Sequence, residues 1–253
     1  MTTRFIFNAC LATICCLIGF LAAPVRAGVV IEKTRLIYPA QEREVTVSLV
    51  NDNKDIPVLV QAWIDEGDQK SAPDQIQVPF LLVPPVFRME PGKSQSLRIS
   101  SLPDKSLPTD KESVFWLNVM EVPPKPKAAK DKASNTLQLA FRTRIKLFFR
   151  PNGLVGAVGD APGQLRWKLE KEGTRQVLEA NNPSSYYVSF EKVSLLVDGK
   201  EVKSEDPQMI EPGGTQRFVL DAADLPVGVR TEVQFTHIDD YGQIVAHTAT
   251  LMR

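Results

Sequence analysis

The chain has 253 residues and carries 30 basic and 30 acidic side chains, for a formal net charge of zero. That balance gives no electrostatic basis for general binding of nucleic acid. Three cysteines and two histidines leave little material for a thiol or metal site.

Residues 1–27 read as a secretory signal peptide. Arg4 supplies the positive start, Phe5 to Ala23 is uncharged and largely apolar, and Val25 and Ala27 are small residues at the positions a signal peptidase reads. The alternative is a retained anchor, and no other stretch approaches the roughly 20 apolar residues that span a bilayer. Cys10, Cys15 and Cys16 all lie in this segment. A processed chain beginning at Gly28 therefore enters an oxidising compartment with no disulfide, and its stability must come from packed cores. Its remaining length, about 226 residues, suffices for one large or two ordinary domains.

Helical periodicity is scarce beyond that point. Short β-type runs follow one another: Val45 to Val50, Val58 to Ile64, Val114 to Val119, Tyr186 to Phe190, Val193 to Val197, Arg217 to Leu220, Glu232 to Thr236 and Ile244 to Leu251. Turn residues separate them, among them Asn51-Asp52-Asn53, Pro91-Gly92, Asp198-Gly199 and Pro212-Gly213-Gly214. This spacing predicts an all-β protein of β-sandwich type. The Gly- and Pro-rich run Pro151 to Gly163 is expected to divide the chain into domains at 28–150 and 151–253, each close to the size of an immunoglobulin-like sandwich, with one continuous large sandwich as the alternative.

The most informative run is Asn135 to Pro151. Leu137, Leu139, Phe141, Ile145 and Leu147 recur with period two, and Gln138, Arg142, Arg144 and Lys146 fall between them. One apolar and one basic face predict a strand longer than usual. At a sheet edge such a strand is an aggregation hazard, or a means of adding a strand to another protein. The preceding stretch, Pro123 to Ser134, is basic and almost free of large apolar residues, and reads as a loop.

Several blocks resemble one family: Thr34 to Pro39; Val78-Pro79-Phe80 with Pro84 to Pro91; Glu112 to Asn118; Leu137 to Pro151; Asn182-Pro183 with Tyr186-Tyr187-Val188; Met209 to Pro212; and Asp239 to Gly242. In this order they resemble the periplasmic pilus chaperones of the chaperone–usher pathway, the PapD-like proteins. The resemblance implies two immunoglobulin-like sandwiches set at an angle around a cleft. It implies a periplasmic chaperone that holds pilus subunits by donor-strand complementation and passes them to an outer-membrane usher. It assigns Leu137, Leu139 and Phe141 to the lent strand, Arg35 and Lys146 to the subunit's C-terminal carboxylate, and Glu112, Arg150 and Asp240 to an interdomain salt bridge. The loop and the cysteine-free mature chain point toward the short-loop class, although the loop is a few residues longer than that class leads one to expect.

Lys146 has the parity opposite to the lent apolar residues. Either a bulge between Phe141 and Lys146 reconciles the two roles, or groove and cleft lie on different sides of the strand. No enzyme motif is present. His237 and His247 fit no metal-ligand pattern, there is no GxSxG, and no GxxxxGK[ST] offers a nucleotide site. No cofactor or metal is expected. The other alternative, a secreted fibre subunit or adhesin, would need a spare donor strand, and Gly28 to Ile31 runs almost at once into the Thr34 block.

Overall fold

The computed structural model describes residues 28–102, 107–124, 139–221 and 230–252. The signal segment, most of the loop after Pro123 and Leu137 lie outside the described residues.

Two β-sandwiches follow one another along the chain. In the first, β1 (Val29–Ile31), β3 (Glu44–Asn51), β7 (Ser94–Ser101) and β5 (Phe80–Val83) form one sheet in that order. The facing sheet has the order β2 (Arg35–Pro39), β9 (Phe141–Arg150), β8 (Ser113–Val122), β4 (Val58–Asp65) and β6 (Val86–Met89). The chain thus changes sheets between Ile31 and Arg35. Alternate residues of each strand point inward, and Leu36, Tyr38, Val47, Leu49, Val60, Leu97, Ile99, Leu117 and Leu147 are buried together. Phe80 and Phe115 meet edge-on with ring centroids 4.9 Å apart, an arrangement that suits the aromatic quadrupole.

The second sandwich pairs β10 (Arg166–Glu172), β11 (Arg175–Asn181) and β15 (Thr215–Val219) in one sheet. The other has the order β13 (Lys200–Lys203), β12 (Val188–Val197), β16 (Thr231–Ile238) and β17 (Ile244–Ala249), with β14 (Met209–Ile210) also pairing β12. Trp167 is fully buried at its centre, with the rings of Phe190, Phe218 and Phe235 at 5.9, 5.9 and 5.2 Å.

Several expectations change in detail. The expected run at Tyr186 to Phe190 starts only at Val188 and merges with that at Val193 to Val197 into one strand, β12, interrupted only by a register shift between Phe190 and Lys192. The Gly- and Pro-rich segment is more than a connection. Val158–Gln164 forms a 3₁₀ helix, and Leu154, Val158, Ala161 and Leu165 pack into the second core. The structure adds strands beyond the expected runs: β1, β2, β5, β6, β13 and β14 are short, polar residues dominate β7 and β10, and a two-residue turn joins β10 to β11. Within the described residues the long strand begins at Phe141, with Leu139 and Ala140 outside it.

Trp167 carries the second core. Trp167→Ala should cost about 3–5 kcal/mol, seen in urea titration as earlier unfolding of the second domain with the first little changed.

Candidate functional site

Strand β9 connects the first core to the space between the domains. Its inward residues Ile145 and Leu147 fill the sandwich, while Arg144, Lys146, Phe148 and Arg150 face the other way. It pairs antiparallel with β8 from Phe141 to Phe149 in an unbroken register. There is accordingly no bulge between Phe141 and Lys146, and the two lie on opposite faces of one regular strand. That register excludes a bulge and is compatible with the second arrangement, in which the two sets of side chains lie on different sides of the strand.

Strand β2 runs parallel to β9 but covers only part of it, with Arg35 opposite Lys146 and Pro39 opposite Arg150. Phe141 to Ile145 therefore have one paired edge among the described strands. Leu139 and Phe141, at the start of this free half, are 55% and 63% exposed.

Arg35 and Lys146 stand where the free edge ends. Arg35 is buried, lies over the Phe148 ring at 5.8 Å and donates from Nη1 to the Ile238 carbonyl at 2.7 Å. Its Nε is buried without a hydrogen-bond acceptor. Lys146 donates to Ser189 Oγ at 3.2 Å and makes no ion pair among the described residues. Burial, reinforced by the neighbouring Arg35 charge, pushes the Lys146 ammonium down to about 8. Burial also lowers Arg35, opposed by the charges of Asp240 and Asp239. Two cations held side by side at this cost, one with an unused donor, form a site suited to a carboxylate.

The domains are tied together next to this pair. Arg150 donates from Nε to Glu112 Oε1 at 2.6 Å, and its two Nη atoms reach the Asp240 oxygens at 2.7 and 3.0 Å. Glu112 Oε2 accepts from the Tyr187 backbone N–H at 2.9 Å. One guanidinium thus joins β9 and the residue preceding β8 in the first domain to the β16–β17 turn of the second. Burial opposes the Arg150 charge, but the hydrogen bonds and charges of Asp240 and Glu112 outweigh it and hold the group above its ordinary value. Glu112 is 2% exposed, and burial raises its carboxyl despite Arg150 and the Tyr187 N–H. Phe148 and Tyr187 meet across the interface at 5.9 Å. In the same turn Gly242 has φ +85°, and a Cβ there would clash with Thr34 Oγ1, so this position favours glycine on both counts. A cavity of about 220 Å³ lies between the domains, bordered by Arg35, Phe148, Tyr187, His237 and Asp240 among others.

The expected residues are therefore grouped: Arg35 with Lys146, Glu112 with Arg150 and Asp240, and Leu139 with Phe141 at the free edge. Leu137 lies outside the described residues. Sequence reasoning missed Ser189, the Ile238 carbonyl and Tyr187, contacts that depend on how the second domain docks and leave no local signal.

Residues 28–155 match the model for the pili and flagellar-assembly chaperone PapD N-terminal domain, and residues 160–249 match that for the pili assembly chaperone PapD C-terminal domain. The chain belongs to the PapD-like family of pilus-assembly chaperones. The chaperone protein FimB/FhaD of Bordetella pertussis is 42% identical over 238 residues, covering 93% of each chain. The probable fimbrial chaperone YadV of Escherichia coli is 39% identical over 250 residues, covering 99% of this chain and 97% of that one. Among solved structures, the CupB2 chaperone of Pseudomonas aeruginosa superposes with a TM-score of 0.73 at 40% identity, covering 88% of this chain and all of that one. The family is one of chaperones, so the protein is not an enzyme. No described helix is long and apolar enough to cross a membrane.

Arg150→Ala would leave the buried Glu112 carboxylate without its cation. It should cost about 2–4 kcal/mol and change the small-angle scattering profile as the domains reorient; an unchanged profile would count against a brace. Lys146→Met should have the opposite sign and stabilise the free protein at pH 7 by about 1 kcal/mol, because it removes a partly buried charge beside Arg35. The lysine is depressed in the folded state, so the unfolded chain binds more protons between about pH 8 and 10.5. The wild-type penalty is therefore full below about 8 and fades as pH rises through that window, and the gap between the two proteins in urea should close with it.

Proposed function

We propose that this protein is a periplasmic chaperone that binds and stabilises pilus subunits by donor-strand complementation and delivers them to an outer-membrane usher. Residues 1–27 would direct it there as a cleaved signal, and domains at 28–150 and 151–253 would enclose the capture site. The observation that carries the reading is the half-covered strand. Among the described strands β9 offers a free edge from Phe141 to Ile145 with exposed Leu139 and Phe141, and the edge stops at two cations, Arg35 buried and Lys146 partly so. A subunit strand added here would lie in line with β2 and parallel to β9, and its terminal carboxylate would meet Arg35 and Lys146.

The physical case has three parts. A sandwich lacking one strand exposes an apolar groove and unpaired backbone groups, and such an edge aggregates. An added strand supplies sequence-tolerant backbone pairing, and burying Leu139, Phe141 and Leu137 would contribute roughly 1.5–3 kcal/mol each before association costs. Anchoring the carboxylate fixes the register, since a one-residue slip would turn the apolar face to solvent. The relatives are fimbrial chaperones, and a chain of the Salmonella enterica structure of SafA pilin in complex with the SafB chaperone superposes with a TM-score of 0.71 at 28% identity. Membership of a chaperone family leaves the alternative of a secreted fibre subunit or adhesin without support. Glu112, Arg150 and Asp240 would set the domain orientation that the capture requires.

Co-purification from periplasm, with identification of the bound protein, tests the assignment. Arg35→Ala and Lys146→Met should each weaken subunit capture by about tenfold or more while leaving the protein folded. Folded variants that capture subunits normally would rule out carboxylate anchoring. Because Lys146 loses its proton near pH 8, wild-type affinity should be present at pH 7 and fall as pH rises through about 8, whereas Lys146→Met should show a flatter profile.

A further inference from the structure

The basic face of β9 contains two residues that the capture site does not use, Arg142 and Arg144. Both project from the free half of the strand, and both end on Asp65 of β4. Asp65 is 1% exposed, and its two oxygens accept four hydrogen bonds. Oδ1 takes Arg144 Nη2 at 2.5 Å and the Gly67 backbone N–H at 2.8 Å. Oδ2 takes Asn118 Nδ2 at 2.7 Å and Arg142 Nη2 at 3.3 Å. Asn118 Oδ1 in turn accepts from Arg142 Nε at 2.9 Å and Nη2 at 2.6 Å, and Arg142 Nη1 reaches the Gln69 carbonyl at 2.9 Å.

Two tryptophans complete the assembly. The Arg142 guanidinium lies over Trp63 at 4.8 Å and that of Arg144 over Trp116 at 4.1 Å. The Trp116 ring also lies 5.6 Å from Lys146 Nζ. One ring therefore touches both the last cation of the free half and the first cation of the cleft. Without a carboxylate, Arg142, Arg144 and Lys146 would be three like charges about 6.6 Å apart along one face. Asp65 supplies the negative charge that permits this row and draws both guanidinium groups toward β4.

We propose that Asp65 is a positioning residue for the lent strand: through Arg142, Arg144 and the two tryptophans it holds the free half of β9 extended and in register before any subunit arrives. A strand with one paired edge would otherwise fray, and ordering it on binding would cost backbone entropy for each residue. The cluster meets that cost within the free chaperone, and through Trp116 it ties the same ordering to the placement of Lys146. The inference rests on the capture reading above, but its first test does not require a subunit.

Hydrogen–deuterium exchange on the purified protein is that test. Asp65→Asn and Arg144→Lys, the latter retaining the charge but not the fork, should speed exchange at residues 141–145 by about tenfold or more. Residues 147–150 of the same strand, and the second domain, should change little. Uniform acceleration across the first domain, or none at 141–145, would overturn the proposal. Arg144→Lys decides the matter where Asp65→Asn does not fold. The second arm uses a synthetic peptide of alternating valine and threonine, with either a free C-terminal carboxylate or an amide. Wild type should prefer the carboxylate form, and the variants should associate about tenfold more slowly with dissociation little changed. Wild-type association rates in both variants would also overturn positioning. Equal binding of the two peptides by wild type would refute carboxylate capture instead and leave positioning to be judged on exchange alone.

Discussion

Among the described strands, β9 has two hydrogen-bonded neighbours over Lys146 to Phe149 and one over Phe141 to Ile145, and the rest of the molecule is arranged around that step. The step exists because β2 enters its sheet only at Arg35, after the chain has crossed over from the facing sheet. On one side of it β9 is an interior strand, locked into a core. On the other it is an edge, which a free protein must keep from pairing at random. The Arg142–Arg144–Asp65 cluster lies on the edge side, the Arg35–Lys146 pair at the step, and the Arg150 brace on the interior side.

The charges on either side of the step obey opposite logic. Arg150 is bonded to two carboxylates, so its burial is compensated within the fold and its proton is held more firmly than in water. Lys146 has a hydroxyl and an aromatic ring for company, with a second cation opposite, and its hold on the proton weakens. A protein selected only for stability would not keep two like charges there. Such a site is costly in the free state and gains most from an incoming anion, which is the differential a capture site requires.

Much of this was legible in the sequence, and unevenly so. The alternation of Phe141, Ile145 and Leu147 gave the strand and its inward face, because period two survives any docking geometry. The blocks around Arg35, Glu112, Arg150 and Asp240 gave candidate site residues through resemblance, and the fold brings Arg35 beside Lys146 and Arg150 onto Glu112 and Asp240. Cross-strand register was not legible. Trp63 and Asp65 on β4, Trp116 and Asn118 on β8, and Arg142 and Arg144 on β9 each show the same two-residue spacing, but only the pairing Trp63↔Asn118 and Asn118↔Arg144 brings them together. Strands such as β10 carry little sequence signal, because only Trp167 and Leu169 face the core in a run otherwise made of charged residues. The 3₁₀ segment escaped because its Gly and Pro content reads as a linker, although its few apolar residues are core.

The unbroken register of β9 also accounts for the opposite parity of Lys146 and the exposed apolar residues. Ile145 and Leu147 point into the first sandwich, and Phe141 has the same parity two turns of the pleat earlier. The apolar face that β9 exposes is thus the chaperone's own core face continued past the end of that core. A subunit groove laid against it would extend the sandwich interior, with Thr143, then Phe141 and Leu139, as the next positions. An anchor for the subunit's terminus cannot share that face, because a charge at the junction would sit between two cores with no water or carboxylate within reach. The anchor proposed above would lie on the opposite face, where the strand meets the space between the domains and where Lys146 stands.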